Sequence, residues 1–430
     1  MRITQRHTRK SLLSTRGAPA AVLVQSALLV SCAATQPGPQ ANPEIFEPAG
    51  WFDIDRSLRG SSFDDYVTDV RQRLEKARLP FNPARAMVEI DRAAPVQLEP
   101  VAACGDAVNG IAILVHGLSD TAYAMYDMAR YFASRCYVAR TVLLPGHGTR
   151  AGDLLVTEHT DWTDTIRHLV KQAAAEHEHI TLVGFSLGAV VTTSVALDDN
   201  SPVDALIAIS PAFELSQWRL AKLTPYLHWL YKWIDRGPTA DALRYEAMPT
   251  KAIAELVKAL HAMKKRMRTV GELKMPWMLV QSLDDATIAP DQNRDFVLNS
   301  ASDATVLEYY SLPLPEIDDL RVTRLNSTHD LPRVDALSHA SVHIAPDNPH
   351  YGHEGEYRIC GTVDGRDLSD AQRCEMAETV LYSVWARLPL ARPEPAALSS
   401  FNPHFDELMM RMDTFMSTMP PVPTEVSSER

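Results

Sequence analysis

Apolar runs alternate with helical patterns along the middle of the chain. Runs such as Ile111–His116 are apolar at nearly every position, which is typical of strands buried on both faces of a sheet. Between the runs, apolar residues recur every three or four positions, as on a helix that packs against such a sheet. The pattern predicts an α/β fold with a mostly parallel central sheet and helices on both faces. The predicted strands are Ile111–His116, Tyr137–Leu144, His179–Gly184, Ala205–Ser210, Trp277–Ser282 and Thr305–Tyr310, with helices at Ala122–Ala133, Thr160–Glu176 and Leu187–Leu197.

Further elements are predicted on either side of this core. Apolar residues at helical spacing predict a helix over Ser62–Arg78, and two short alternating runs, Ala86–Asp91 and Pro95–Pro100, predict a hairpin. Asp370–Leu388 is predicted as a closing helix. A stripe from Phe405 to Met416 also has helical spacing, and packing against the core is favoured over a membrane or partner contact.

Between Pro211 and Met275 the strand pattern is interrupted. Leu223, Leu227 and Leu230 belong to one apolar face at helical spacing. We therefore expect a helical lid insertion at about residues 212–275. The alternative is an extra pair of core helices, and the two interpretations are compatible because the inner face of a lid is also buried.

Composition and charge narrow the class of protein. The chain has 430 residues, of which 46% are hydrophobic and 22% charged, as in ordinary globular proteins. A net charge of -12 argues against nucleic acid as a partner, because phosphate contacts need a basic surface. No apolar stretch is long enough for a membrane-spanning helix.

The N-terminus has the pattern of an export signal. Residues 1–31 hold five basic and no acidic side chains and an apolar run from Ala18 to Val30, and without them the net charge goes from -12 to -17. The sequence Leu29-Val30-Ser31-Cys32 resembles the lipobox of bacterial lipoproteins, which implies acylation of Cys32. Ala33 resembles the outer-membrane-sorted class, so we expect an exported, outer-membrane lipoprotein that faces the periplasm or the cell surface.

The other cysteines fit an oxidising compartment. Four remain once Cys32 is set aside, and an even number permits two disulfides with three connectivities. A local bridge between Cys360 and Cys374 is favoured, which would leave Cys104 with Cys136. Their spacing fits no zinc site, and no metal or other cofactor is expected.

A candidate nucleophile lies at the end of an apolar strand. Gly184-Phe185-Ser186-Leu187-Gly188 follows Ile180–Val183 and precedes an Ala- and Val-rich helix. This strand-turn-helix context is the one in which a Gly-x-Ser-x-Gly motif forms a nucleophile elbow. Glycines are needed because the turn is tight and larger side chains would clash with the neighbouring strand and helix. A structural serine in a turn is the alternative.

Several motifs together resemble a known family. The run Leu143–Thr149 (LLPGHGT), then Gly152–Leu154, Asp161–Trp162 and the elbow Gly184–Gly188 are similar to the carboxylesterase and monoacylglycerol-lipase branch of the α/β-hydrolases. The resemblance extends roughly from Ile111 to Leu388. It implies the α/β-hydrolase fold and a serine hydrolase whose acid and histidine follow the serine in chain order.

The resemblance implies the rest of a catalytic triad. Hydrolases of this type have Gly-x-x-Asp-x-x-Val-x-Pro after a late strand, which aligns Asp285 with the acid, and Asp284 is the alternative. Four histidines follow the last predicted strand. Ser338-His339 with the following Pro-containing loop fits best, and the 54 residues from Asp285 to His339 imply an insertion at 311–336. The alternatives to His339 are His329, His343 and His350.

The same resemblance implies an oxyanion hole. In this fold one backbone N–H comes from the residue after the nucleophile and another from the loop after the first central strand. These are the amides of Leu187 and Leu118. His116 is expected to have a structural role because it precedes the serine in chain order.

These predictions lead to a hypothesis of function. We expect a serine hydrolase that cleaves carboxylic esters through an acyl-enzyme on Ser186, and the lid aromatics favour short to medium acyl chains. The alternatives are a lysophospholipase, a monoacylglycerol lipase, a proline-type aminopeptidase, or a non-catalytic lipid-anchored binding protein. The expected partners are an ester substrate and, through the anchor, a membrane. The sequence leaves the natural ester and the oligomeric state open.

The chain is accordingly divided into five parts. We expect a signal peptide at 1–31, a flexible tether at 32–50 and an N-terminal extension of a helix and a hairpin at 51–100. The hydrolase domain is expected at 101–392, and a C-terminal helix and tail at 393–430.

Overall fold

The computed structural model describes residues 42–49, 62–236, 241–360, 368–384 and 394–419. The predicted signal peptide, Cys32 and most of the tether lie outside the described residues, as do residues 51–61 of the extension and 420–430 of the tail.

An eight-stranded sheet forms the centre of the protein, in the order β1-β3-β2-β4-β5-β8-β9-β10. The first strand is antiparallel to its neighbour and all other pairs are parallel, as predicted. Two small two-stranded sheets accompany it, β6 with β7 and β11 with β12. The strands are β1 (Gln97–Leu98), β2 (Ile111–Val115), β3 (Val138–Val142), β4 (Ile180–Phe185), β5 (Ala205–Ile209), β6 (Trp233–Asp235), β7 (Met248–Pro249), β8 (Trp277–Ser282), β9 (Ala304–Tyr310), β10 (Val322–Asn326), β11 (Leu381–Ser383) and β12 (Ala396–Leu398).

Helices cover both faces of the sheet, which explains why the central strands are apolar throughout. In β2, Ile111, Ile113 and Val115 belong to one core and Ala112 and Leu114 to the other, and all five are fully buried. The α/β-hydrolase fold expected from the sequence is confirmed. The helices are α1 (Phe63–Ala77), α2 (Ala86–Ala93), α3 (Tyr126–Ser134), α4 (His159–Glu176), α5 (Leu187–Ala196), α6 (Trp218–Ala221), α7 (Thr224–Leu227), α8 (Thr250–Val270), α9 (Pro290–Ser300), α10 (Leu368–Met376) and α11 (Phe405–Met416).

The predicted hairpin before the sheet is wrong. Residues 86–93 form helix α2, and only Gln97–Leu98 is a strand, which pairs with β3. The buried residues Glu89, Ile90 and Ala93 have helical spacing, and the Glu89 carboxylate accepts hydrogen bonds from the N–H groups of Phe81 (2.9 Å) and Asn82 (2.7 Å). This tertiary contact ties α2 to the turn before it.

The closing helix predicted at Asp370–Leu388 is also wrong in its extent. Helix α10 ends at Met376, and β11 follows at Leu381–Ser383, where it pairs with β12. Residues 385–388 lie outside the described part of the chain.

The region predicted as a lid has two parts. Helix α8 packs against α4 and α5 over the sheet and buries Ala252, Val257 and Leu260, so it is a core helix. The part before it, residues 215–245, we call the cap segment, and the structure describes it except for 237–240. The prediction of helices alone fails here, since β6 and β7 pair within this region.

The C-terminal stripe packs into the core, as predicted. Leu408 and Met412 are fully buried in the same core as α3, and Asp413 accepts hydrogen bonds from Tyr131 (2.7 Å) and Arg135 (2.7 Å). Within the described ranges, the structure has no helix that is long and apolar enough to span a bilayer.

Candidate active site

Ser186 lies in a strained turn at the carboxyl end of β4. Its φ of 52° and ψ of -111° are unusual for a residue with a side chain. The turn is held because Ser186 N–H donates to Ile209 O (3.0 Å) and Ser186 O accepts from Ala212 N–H (3.2 Å). A Cβ on Gly188 would lie 2.1 Å from Val115 O, so this position requires glycine. The elbow expected from the motif is therefore present in the geometry.

His339 stands between Ser186 and Asp285. Its Nε2 is 2.9 Å from Ser186 Oγ, and its Nδ1 is 2.6 Å from Asp285 Oδ2. The carboxylate assigns the tautomer, because it accepts only from a protonated Nδ1 and so leaves Nε2 to accept the serine proton. Asp285 is held in turn by the N–H of Thr287, which donates to Oδ1 at 2.7 Å. The structure thus brings the three predicted residues into one hydrogen-bonded line.

The alternative residues have other neighbours. Asp284 N–H donates to Ser282 Oγ (3.2 Å), whereas the carboxylate that contacts His339 is that of Asp285. His329 Nδ1 lies 3.2 Å from Pro332 O, and His350 Nε2 lies 3.0 Å from Asp241 Oδ1. His343 packs on the Phe185 ring with centroids 4.2 Å apart, and burial lowers its pKa to about 3.

The insertion before His339 contributes a strand that sequence analysis missed. Strand β10 pairs with β9 at the edge of the sheet, and after it the chain returns to the carboxyl end of β8, where Ser282 Oγ–H donates to Leu337 O at 2.8 Å. This bond holds the loop two residues before the imidazole. The strand was missed because its two apolar residues, Val322 and Leu325, are three positions apart and so do not give the period-two alternation of a half-buried strand.

The two predicted oxyanion donors belong to the elbow and to the loop after β2, which approach each other closely: a Cβ on Gly188 would lie 2.7 Å from His116 O. No hydrogen bond to another described residue uses the N–H of Leu118 or of Leu187. His116 lies behind the loop: its Nε2 accepts from Leu144 N–H (3.0 Å), and its Nδ1–H donates to Gly117 O at 2.7 Å. Burial is the largest cause that holds the pKa of His116 well below its usual value, and the neighbouring His147 lowers it further. The ring therefore stays neutral.

Sequence reasoning did not find a group of charged residues next to the oxyanion loop, which consists of two buried aspartates and a half-buried arginine. The cap segment returns to this loop, where Tyr245 N–H donates to Ser119 O at 2.8 Å. This contact places Arg244 near Asp120. Burial raises the pKa of Asp120 to about 6, against the opposing effects of Arg244 and His339. One indication of this group was present in the sequence, an aspartate four residues after His116 in a predicted loop.

A second carboxylate completes this group. Asp241 accepts hydrogen bonds from Tyr351 Oη–H (2.7 Å) and Leu243 N–H (2.8 Å). Burial opposes the charge of Arg244, but Asp120, Tyr351 and Asp241 around it keep the pKa of its guanidinium above the ordinary value. The group borders the oxyanion loop, and Asp120 interacts electrostatically with His339.

The cap segment starts at the loop that carries Asp285. Leu215 pairs with Ile288 in an isolated bridge, and Ser216 N–H donates to Thr287 O at 3.1 Å. Since its other end contacts the oxyanion loop, the cap segment connects the acid side of the site with the oxyanion side.

Comparisons with known proteins agree with this geometry. Residues 106–312 match the family described as serine aminopeptidase, S33. A thermostable monoacylglycerol lipase of Bacillus sp. (strain H-257) is 24% identical over 195 residues, which are 44% of this chain and 76% of that protein. The chain has the α/β-hydrolase fold. With these matches, its resemblance to the carboxylesterase and monoacylglycerol-lipase branch is confirmed, and it is a serine hydrolase similar to lipases and esterases.

Solved structures with a similar fold include two lipases. A soluble variant of monoglyceride lipase from Saccharomyces cerevisiae is 15% identical with a TM-score of 0.45, and covers 50% of this α/β-hydrolase and 82% of its own chain. A monoacylglycerol lipase of Paleococcus ferrophilus is 17% identical with a TM-score of 0.41, and covers 50% and 88% of the two chains.

The family match does not reach the histidine. In this α/β-hydrolase the matched segment includes Ser186 and Asp285 but ends at residue 312, before His339. The assignment of His339 as the base therefore rests on its contacts in the structure alone.

All four remaining cysteines are paired in the α/β-hydrolase. Cys104 is joined to Cys136, and Cys360 to Cys374. The first bridge links the loop before β2 to the end of α3, and the second links α10 to the chain that precedes it.

Proposed function

We propose that the protein hydrolyses carboxylic esters through an acyl-enzyme on Ser186. The observation that carries the proposal is the position of His339, which contacts Ser186 Oγ and Asp285 Oδ2 with its two ring nitrogens. A serine hydroxyl is too weakly acidic to attack an ester without a base, and this arrangement supplies a base held in the correct tautomer.

The reaction has two halves. Ser186 Oγ attacks the carbonyl carbon while its proton moves to His339 Nε2. The bond to the alcohol oxygen then breaks, and the alcohol leaves with the proton from Nε2. Water attacks the acyl-enzyme in the same way, giving up a proton to Nε2, and the carboxylic acid leaves as Ser186 recovers its hydrogen. Asp285 stabilises the imidazolium that forms in each half.

The negative charge on the carbonyl oxygen is stabilised by backbone donors. We assign this role to the N–H groups of Leu118 and Leu187. Leu187 is the first residue of α5, so the partial positive charge of the helix N-terminus adds to its effect. These donors are fixed before substrate binds, and each is therefore worth more than a donor that must reorient.

The substrate proposed is an ester of one acyl chain with a small polar alcohol, such as a monoacylglycerol. The relatives reported above are named as monoacylglycerol or monoglyceride lipases. The group of Asp120, Arg244 and Asp241 offers charged partners to alcohol hydroxyls.

An aminopeptidase, which the family description names, is less well supported. Binding of a free amine needs an uncompensated carboxylate near the serine. Asp241 already accepts from His350, Tyr351 and Leu243, and Asp120 faces the Arg244 guanidinium. A lysophospholipase differs from the proposed enzyme only in the alcohol, so a substrate panel separates the two.

The test compares Ser186→Ala with a matched serine variant. Ser194→Ala removes a hydroxyl from the same helix that donates to Val190 O, away from His339. We expect Ser186→Ala to lose turnover of p-nitrophenyl butyrate and monoacylglycerol, together with labelling by a fluorophosphonate, while Ser194→Ala keeps both. Retained turnover in Ser186→Ala would contradict the mechanism, and a lack of labelling in the unmodified chain would favour a non-catalytic binding protein.

We also propose that the protein is an exported lipoprotein acylated on Cys32 and held at the outer membrane. The lipobox-like sequence motivates this, and pairing of the other four cysteines is in keeping with an oxidising compartment. Incorporation of labelled palmitate into the full chain, and its loss in Cys32→Ser, is the expected result. Equal incorporation in both chains would contradict the proposal.

A further inference from the structure

Two loops bring the acid and the base of the proposed triad together. The acid loop, residues 283–289, carries Asp285, and the histidine loop, residues 335–344, carries His339. Strands β9 and β10 lie between them, so the two residues are 54 positions apart along the chain. The contact of 2.6 Å between Asp285 Oδ2 and His339 Nδ1 therefore depends on how the loops are held relative to each other.

One hydroxyl group connects the two loops directly. Ser282 is the last residue of β8 and is fully buried. Its Oγ accepts from Asp284 N–H at 3.2 Å and, with its own proton, donates to Leu337 O at 2.8 Å. Its carbonyl oxygen also accepts from Asp285 N–H at 3.3 Å, which fixes the turn that carries the acid. The hydroxyl thus accepts a hydrogen bond from one loop and donates one to the other.

Other attachments of the histidine loop lead away from the acid loop. Asp335 N–H donates to Tyr382 O at 2.8 Å, and Ser338 Oγ–H donates to Ser399 O at 2.6 Å. Tyr382 belongs to β11 and Ser399 directly follows β12, so both bonds attach the loop to the small sheet at its other side. The bond from Ser282 instead attaches the loop to the strand end from which the acid loop starts.

From this geometry we propose that Ser282 is a positioning residue for the triad, and that its hydroxyl sets the distance between the Asp285 carboxylate and the His339 imidazole. A glycine at this position, as in the pattern Gly-x-x-Asp-x-x-Val-x-Pro, makes neither side-chain bond. Catalytic groups must be held to within about 0.5 Å, and a displacement of about 1 Å can slow a reaction roughly 100-fold. The inference rests on the proposed function, because Ser282 acts through the acid and the base of that mechanism.

The first test compares the kinetics of two variants that each lose a buried hydroxyl. Ser282→Ala removes the bond to Leu337 O, and Ser341→Ala removes an equally buried hydroxyl that donates to Ser338 O at 2.9 Å within the histidine loop itself. We expect kcat on p-nitrophenyl butyrate to fall roughly 10- to 100-fold in Ser282→Ala with little change in KM, and less than about threefold in Ser341→Ala. Equal losses in the two variants would overturn the proposal.

A double-mutant cycle separates positioning from a general loss of structure. In the Asp285→Asn background the contact with His339 is already impaired, so adding Ser282→Ala should lower kcat by less than about threefold. A loss of the same size in both backgrounds would mean that Ser282 acts independently of Asp285, against the proposal. Thermal unfolding verifies that each variant is folded at the assay temperature. If Ser282→Ala is not folded, Ser282→Cys replaces it, because a thiol fills the same place but is a weaker donor.

A proton resonance gives a measurement that does not depend on turnover. The proton between His339 Nδ1 and Asp285 Oδ2 is in a short hydrogen bond to a carboxylate, so its NMR signal lies far downfield, and its loss in His339→Gln assigns it. We expect this signal in the unmodified chain and in Ser341→Ala, and an upfield shift or broadening in Ser282→Ala. If the chains show this pattern without turnover, the proposed function is contradicted while the positioning role of Ser282 is supported. A signal that Ser282→Ala leaves unchanged would refute that role.

Discussion

His116 donates a hydrogen bond from Nδ1 to the carbonyl oxygen of Gly117 at 2.7 Å. That carbonyl and the N–H of Leu118 belong to the same planar peptide, so the imidazole sets the direction in which the N–H points. The ring is itself held by Leu144 N–H, and its lowered pKa keeps it in this neutral form. His116 is thus a positioning residue for the proposed oxyanion hole.

The first prediction follows from this contact. In His116→Gln the peptide loses its restraint, and we expect kcat to fall roughly 10- to 100-fold with little change in KM, because the donor acts mainly in the transition state. His147→Gln is the matched control, since His147 Nδ1 contacts Pro145 O rather than Gly117. Steady-state kinetics on a soluble ester distinguishes the two. Equal losses in both variants would contradict a specific role for His116.

A second prediction separates the neighbouring aspartates. Asp285→Asn keeps the shape of the side chain but favours the wrong tautomer of His339, so we expect kcat to fall by roughly 10⁴. Asp284→Asn changes the same chemical group one residue away and should lose less than tenfold, because His339 Nδ1 contacts Asp285. Single-turnover acylation rates measure the difference directly. A larger loss in Asp284→Asn would reassign the acid.

The parts of the fold that could be predicted are those in which the local pattern of apolar residues matches the residues that are buried in the structure. Strands β2, β4 and β8 are apolar on both faces, and their predicted bounds are correct to within about one residue. In contrast, Ala86–Asp91 was predicted as a strand, yet it belongs to a helix whose buried Glu89 carboxylate bonds to the turn before it. A contact of this kind leaves no trace in the local pattern.

The same distinction holds for the candidate site. Ser186, Asp285 and His339 each belong to a motif or a characteristic loop, and the structure brings them together. Asp120 and Arg244 are distant in sequence and meet because the cap segment returns to the oxyanion loop. Their proximity depends on the path of the whole insertion, which hydrophobic periodicity does not describe.

A third prediction concerns the elbow. Gly188→Ala places a Cβ 2.1 Å from Val115 O, so β2 and α5 must separate, and we expect a loss of several kcal/mol in the free energy of unfolding. Gly271→Ala is the comparison. That glycine has a φ of 83° but no atom within 4 Å of an added Cβ, so the cost should be about 1 kcal/mol. Urea unfolding measures the free energy of unfolding of both variants. Similar losses would show that the structure relieves the close contact at Gly188 at little energetic cost.

The last prediction uses the pKa of Asp120, which burial raises to about 6 from an ordinary value of 3.8. Because the folded protein binds this proton more tightly than the unfolded chain, Asp120 lowers the free energy of unfolding as pH rises from about 4 to 6, and the loss persists above pH 6. Asp120→Asn removes the titrating carboxyl group and keeps the shape of the side chain. Relative to the unmodified chain, we expect the variant to gain roughly 2 kcal/mol more at pH 7 than at pH 4.

Urea unfolding at pH 4, 5, 6 and 7 tests this sign. The absolute stability of Asp120→Asn also reflects the loss of a charge beside Arg244, whose guanidinium Asp120 helps to keep protonated. Any part of this effect that does not depend on pH shifts all four values equally, so the slope between pH 4 and 6 reports the titration of Asp120. Asp106→Asn, an exposed aspartate in the loop before β2, is the control for the loss of a surface carboxylate. A stability difference that does not change with pH would mean that Asp120 is ionised in the folded protein as readily as in the unfolded chain, and that its negative charge persists beside His339 throughout this range.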